Sequence, residues 1–113
     1  MVEDNLQRVT VCRLDEVDDG SAIPVTVRGR KLALARIGDE VFAMGDACPH
    51  RGGPMSSGRV SAKRCELICP WHFFRYDLRT GASVTNPELV NETYPAMVEN
   101  GNVVIEIRSS RAH

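Results

Sequence analysis

Two short clusters, Cys48-Pro49-His50 and Cys69-Pro70-Trp71-His72, each offer one soft sulfur and one imidazole nitrogen, with residues 51–68 between them. A thiolate donates strongly to iron or zinc, and a neutral imidazole is a weaker, uncharged donor. Two of each can therefore hold either one tetrahedral ion or an asymmetric pair of irons. Prolines at 49, 54 and 70 stiffen the segments that carry these donors, because the ring fixes φ before any metal arrives. Gly52 and Gly53 follow the first cluster, and without a Cβ their amides can come close to a cluster sulfide and hydrogen-bond to it.

Such donors must be presented by a rigid frame, and the rest of the chain reads as one made of strands. Short β-branched and apolar stretches alternate with turn residues at the spacing of an all-β sandwich or barrel. The pattern predicts strands near 8–13, 22–28, 31–37, 40–45, 59–61, 65–68, 74–77, 94–99 and 102–107. Hairpin turns are expected at Gly29, Gly38-Asp39 and Asn100-Gly101, the last suited to two consecutive residues with positive φ. Leu14-Asp15-Glu16-Val17 and Pro87-Glu88-Leu89-Val90 are each long enough for one helical turn and no more. The first donor cluster follows Val41-Phe42-Ala43-Met44, and the second lies between Glu66-Leu67-Ile68 and Phe73-Phe74-Arg75-Tyr76. Both are thus expected in loops at strand ends. Residues 1–6 and 108–113 read as frayed ends.

Composition narrows the class of protein. With 113 residues, 42% hydrophobic and a formal charge of -1, the chain fits a single compact domain over residues 1–113 with an adequate core. The near-neutral balance argues against nucleic acid as a partner, although Arg51, Arg59, Lys63 and Arg64 are crowded locally. The first residues show no basic start followed by an apolar run, and nowhere do about 18 consecutive apolar residues occur. A cytoplasmic protein with no membrane anchor is expected. Cys12 and Cys65 read as small buried hydrophobes, and nothing in the sequence supports a bridge between them. His113 reads as solvated.

Cys48-Pro49-His50, Cys69-Pro70-Trp71-His72 and, beyond them, Asp77-Leu78-Arg79-Thr80-Gly81 resemble the Rieske family, and the similarity covers most of the chain. The resemblance implies an antiparallel β-sandwich or barrel with a small cluster-binding subdomain of two ligand loops, approximately residues 46–78. It also implies one two-iron, two-sulfide cluster per chain, with Cys48 and Cys69 on one iron and His50 and His72 on the other. The competing reading is a structural zinc site. Zinc knuckles usually pair cysteines at one end and histidines at the other, whereas here each loop carries one of each. In the family the imidazoles lie near solvent, so His50 and His72 are expected to couple electron uptake to protonation at alkaline pH and to form the electron exit.

Departures from the family pattern bear on the reduction potential. High-potential members join two cysteines beneath the cluster in a disulfide, at the places held here by Gly53 and Trp71. They also carry a serine where this chain has Phe74, while the tyrosine position is kept as Tyr76. Fewer potential-raising contacts imply a value toward the low end of the Rieske span, roughly -150 mV. Phe73 stands where many relatives have glycine.

The resemblance also bears on function. Oxygenase large subunits of the family need two further histidines and a carboxylate for a mononuclear iron, and beyond the cluster ligands only His113 is present. The chain is therefore expected to be no enzyme itself but a ferredoxin, carrying electrons from a flavin-dependent reductase to a Rieske non-haem iron oxygenase. The alternative is the small subunit of an assimilatory nitrite reductase. Docking is expected around His50 and His72 on an apolar rim drawn from Pro49, Pro54, Met55, Pro70, Trp71 and Phe73. Of these, Pro49, Met55 and Pro70 are expected to be exposed, with Phe74 packed beneath the loops and Arg51 steering toward an acidic partner.

Overall fold

The computed structural model describes residues 6–108, and its regular elements are almost entirely strands. In chain order these are β1 (Leu6–Arg13), β2 (Ala22–Val27), β3 (Arg30–Ile37), β4 (Glu40–Gly45), β5 (Arg59–Ser61), β6 (Glu66–Ile68), β7 (Arg75–Asp77), β8 (Thr93–Tyr94), β9 (Ala96–Glu99) and β10 (Asn102–Arg108). They form three antiparallel sheets ordered β1-β10-β9, β2-β3-β4-β8 and β5-β6-β7. Two 3-10 turns, Leu14–Glu16 and Met55–Ser57, complete the set. No helix among the described residues is long and apolar enough to cross a membrane.

Alternation along β3 explains how the sheets stack. Leu32 and Leu34 point into a core shared with Val103, Ile105 and Ile107 of β10, whereas Ala33 and Ala35 point the other way, toward Met55, Leu67 and Tyr76. Successive side chains of a strand face opposite sides, so the central sheet is buried on both faces. The large residues fill the gap to the β1-β10-β9 sheet. The alanines leave room for the second layer, in which the Met55–Ser57 turn and the β5-β6-β7 sheet carry the loops of interest. Burying each leucine contributes about 1.5–3 kcal/mol, which holds the frame rigid beneath those loops.

The hairpins follow their turn residues. Arg28-Gly29 and Asn100-Gly101 both take consecutive positive φ values, 53° with 81° and 53° with 78°, as a two-residue turn matched to strand twist requires. The Leu14–Glu16 turn forms where one was expected.

Three expectations are corrected. The strand anticipated over 94–99 is two strands, because Pro95 has no N–H to continue the ladder. β8 therefore pairs with β4 and β9 pairs with β10, while the Pro95 carbonyl accepts from the Glu106 amide at 2.9 Å. Pro87–Val90 forms no helical turn. The Leu89 amide closes a tight turn onto the Asn86 carbonyl at 3.0 Å, and Val90 then bridges to Ala82, so the segment's backbone groups are used across a hairpin. Leu6 and Arg108, expected to fray, are a ladder pair in β1-β10; residues 1–5 and 109–113, His113 among them, lie outside the described residues.

Candidate metal centre

The first donor loop leaves β4 at Gly45 and is closed on itself. The Cys48 amide donates to the Gly53 carbonyl at 2.9 Å, and the Gly52 amide returns to the Cys48 carbonyl at 2.6 Å. Gly52 sits at φ 79°, a conformation that costs a residue with a Cβ about 1–2 kcal/mol. Asp46 anchors the loop base: its carbonyl accepts from the Met55 amide and its carboxylate from the Ser56 amide, both at 2.7 Å. From the other side, the buried Asn91 side chain donates to the Gly45 carbonyl at 2.9 Å while the Gly45 amide donates to the Glu92 carbonyl.

The second loop joins β6 to β7 and is closed by the Cys69 amide on the Phe74 carbonyl at 2.8 Å. Its reversal is sharp enough to put both His72 and Phe73 in the left-handed region, at φ 66° and 61°. Phe73 is a non-glycine residue in a conformation that favours glycine. Behind this loop, Asp77 holds the next turn, its carboxylate accepting from the Arg79 and Thr80 amides at 2.7 and 3.1 Å, with Gly81 at φ 81°. That is the physical content of the Asp77-Leu78-Arg79-Thr80-Gly81 motif.

Together the loops bring all four sequence-predicted donors to one place, sorted by type. Cys48 and Cys69 are buried at 2% and 0% exposure, while His72 is exposed and His50 half-buried at the rim. The imidazole rings of His50 and His72 meet edge to face, 5.5 Å between centroids at 88°. The Tyr76 hydroxyl lies 3.1 Å from the Cys48 sulfur, and the Trp71 amide donates to the Cys69 sulfur at 3.4 Å. A Cβ on Gly53 would stand 2.8 Å from the Cys69 sulfur and 2.9 Å from the Trp71 indole. Glycine is required there by the close approach of the two loops. The two positions that hold a disulfide in high-potential members are in contact here, with the indole filling that space.

The electrostatics of this group suit the binding of a cation. Burial pushes the Cys69 thiol up, opposed by the Trp71 amide and reinforced by the neighbouring Cys48, so positive charge placed beside it would favour its thiolate. Burial also lowers the affinity of His50 for a proton, with Arg51 and His72 adding to the effect, which keeps the imidazole neutral, as a metal ligand must be. Most telling, Nδ1 of His50 is buried with no hydrogen-bond partner, an arrangement rare in proteins and costly unless a ligand satisfies the atom. Among the described residues no three His, Cys, Asp or Glu side chains converge on a point that one ion could occupy. Cys48 lies beside Cys69, and the His50 imidazole beside that of His72.

Residues 7–102 match the family model described as Rieske [2Fe-2S] domain. The chain belongs to this family. Its cofactor is accordingly a Rieske-type cluster, and the orphaned imidazole nitrogen and paired buried thiols are compatible with one. The chain is 35% identical over 95 residues to the ferredoxin component of a naphthalene 1,2-dioxygenase system from Pseudomonas putida, covering 83% of this chain and 89% of the relative. Among solved structures it is similar to a putative NADH-dependent nitrite reductase small subunit from Mycobacterium tuberculosis, with TM-score 0.87 and 26% identity over 95% of this chain and 100% of that one. It is also similar to the ferredoxin in a complex of reduced oxygenase and oxidized ferredoxin of carbazole 1,9a-dioxygenase, with TM-score 0.78 and 25% identity over 89% and 94% of the two chains.

The surroundings depart from expectation in instructive ways. Met55, expected at the surface, is fully buried, because the Met55–Ser57 turn inserts its side chain between the alanine face of β3 and the β5-β6-β7 sheet. Trp71 and Phe73 are exposed at 48% and 72%, and Pro49 is exposed as well. Phe74 packs against the core beneath the loops as expected. All four cysteines are free, and Cys12 in β1 and Cys65 between β5 and β6 belong to different cores. Asp46 and Asn91 were not singled out from the sequence. An aspartate just before a turn is a recognisable signal; Asn91 has none, since its partner Gly45 is distant along the chain.

Proposed function

We propose that this chain is a cytoplasmic ferredoxin that accepts one electron from a flavin-dependent ferredoxin reductase and passes it to a Rieske non-haem iron oxygenase. The observation that carries the reading is the asymmetric pocket: paired buried thiols on the inside, and a buried, unpartnered imidazole nitrogen beside an exposed second imidazole on the outside. In this reading Cys48 and Cys69 hold one iron and His50 and His72 the other, within one Rieske domain formed by the whole chain. When bound, the cluster supplies a one-electron redox couple.

The protein's own residues then do three things. Cys48 and Cys69 keep the sulfur side dry, which strengthens the hydrogen bonds from Tyr76 and the Trp71 amide. The imidazoles provide the short path to the surface. Trp71, Phe73 and Pro49 frame that path with apolar area, and exposed Arg51 adds positive charge beside His50. A patch this small suits a partner that must leave quickly after each transfer. Likeness to the oxygenase-bound ferredoxin of carbazole 1,9a-dioxygenase supports docking on an oxygenase.

Iron and acid-labile sulfide analysis with electron paramagnetic resonance of the dithionite-reduced protein tests the reading. Two irons, two sulfides and the low average g value of a mixed-ligand cluster are expected; a colourless protein containing zinc would refute it. The likeness to a nitrite reductase small subunit keeps a second reading open, and genes next to this one distinguish the two. A reductase and oxygenase pair favours the ferredoxin, whereas a nitrite reductase large subunit favours the alternative.

A further inference from the structure

The His50 ring has two aromatic neighbours, and one of them is a residue to which the ligand motifs assign no role. Phe74 lies flat against the imidazole, 3.9 Å between centroids at an interplanar angle of 12°. Edge-on contact with His72 holds the same ring from a second direction. Phe74 is itself doubly tied. Its carbonyl closes the second loop by accepting from the Cys69 amide at 2.8 Å, and its side chain packs against the core that contains Cys48, Leu67, Cys69 and Tyr76. The aromatic ring is thus a strut from the second loop to the histidine of the first.

We propose that Phe74 is the positioning residue for His50: it sets the plane of the imidazole and so the direction in which Nδ1 faces the centre. An imidazole on a single Cβ turns freely about its last torsion, where the preference is broad and two-fold, and no hydrogen bond to Nδ1 restrains it. A parallel aromatic face at van der Waals distance removes that freedom, and such pairs are worth more than their buried area alone. Metal-ligating imidazoles are ordinarily oriented by a partner on the other ring nitrogen; here a stacked face does that work. The inference rests on the ligand assignment proposed above.

The test uses the full-length, cluster-loaded protein in three forms: wild type, Phe74→Tyr, which keeps the flat face, and Phe74→Leu, which keeps apolar volume without it. Pulsed paramagnetic resonance of the reduced forms reads the nitrogen couplings of the two imidazoles separately. Phe74→Leu is expected to shift or broaden one coupling and leave the other, and to shorten the life of the cluster under chelator by about 10-fold, the lower end of the loss seen when a ligand's orienting partner is removed. Phe74→Tyr is expected to match wild type in both. Unchanged couplings in Phe74→Leu would overturn the proposal, as would equal disturbance in Phe74→Tyr. Should Phe74→Leu take up no cluster, its thermal unfolding is compared with that of cluster-free wild type. An equal midpoint supports positioning, and a lowered one shows that Phe74 serves packing alone and overturns it. Failure of the wild type itself to show two imidazole couplings would instead refute the ligand assignment.

Discussion

Replacing Tyr76 by phenylalanine removes one hydroxyl from a fully buried ring and leaves its packing in place. That hydroxyl lies 3.1 Å from the Cys48 sulfur, and Tyr76 is 0% exposed, so no water can take over the contact. A hydrogen bond to a charged acceptor is worth about 1.5–3 kcal/mol. Reduction makes the cluster sulfurs more negative and strengthens the bond. If about a third of its value is gained on reduction, roughly 0.5–1 kcal/mol, the midpoint potential should fall by about 20–45 mV in Tyr76→Phe, at about 59 mV per tenfold change for one electron. Burial, the hydrogen bond to Cys48 and the Cys48 charge all push the Tyr76 phenol up. The hydroxyl therefore remains a donor through the ordinary tyrosine range, near pH 10, and the difference between variants should hold steady below that pH. Spectroelectrochemical titration of both proteins in the same buffer measures it. An unchanged or raised potential, or a difference that vanishes on going from neutral to mildly alkaline pH, would show that the Tyr76 hydroxyl does not stabilise the reduced centre.

Three other perturbations test the frame. Gly53→Ala drives a methyl group to 2.8 Å from the Cys69 sulfur and 2.9 Å from the Trp71 ring; overpacking of this kind costs about 1–3 kcal/mol, and iron content per chain and the thermal midpoint should both drop. Phe73→Gly relieves a left-handed conformation at φ 61° that costs a non-glycine residue about 1–2 kcal/mol, partly offset by about 0.5–1 kcal/mol of added chain entropy. Its thermal midpoint should hold or rise slightly, while stopped-flow electron transfer to the oxygenase slows through loss of a 72%-exposed aromatic. Burial raises the Cys65 thiol, with Asp77, Glu40 and Glu66 adding to the effect and Arg79 opposing it. The folded protein then retains a proton that the unfolded chain releases, so this contribution is complete below the ordinary thiol pKa of about 8.5 and is lost as pH rises through the folded value. Denaturant unfolding should show stability declining above that pH, with a shallower decline in Cys65→Ala.

Donor types and element boundaries were readable along the chain because both are local. A cysteine and a histidine two or three positions apart must share a loop, and the turn residues Gly29 and Asn100-Gly101 fall where their φ values require them. Where reading failed, the deciding partner lay elsewhere. Met55 carries no signal of burial in its neighbours Pro54 and Ser56, and it is buried because Ala33 and Ala35 on a distant strand leave a hollow that it fills. Pro95 was visible, yet its effect was missed, since apolar residues on both sides read as continuous strand while the backbone switches sheets there.

Two soft sulfurs and two imidazoles on two loops of a β protein are legible along the chain, because ligand chemistry and turn preference belong to individual residues. Folding in three dimensions settles how these donors are divided between interior and rim, leaves the first imidazole a buried nitrogen without a partner, and stacks Phe74 of the opposite loop against it. Burial and ring stacking depend on which segments fold against each other, and that is set by how three sheets share their cores.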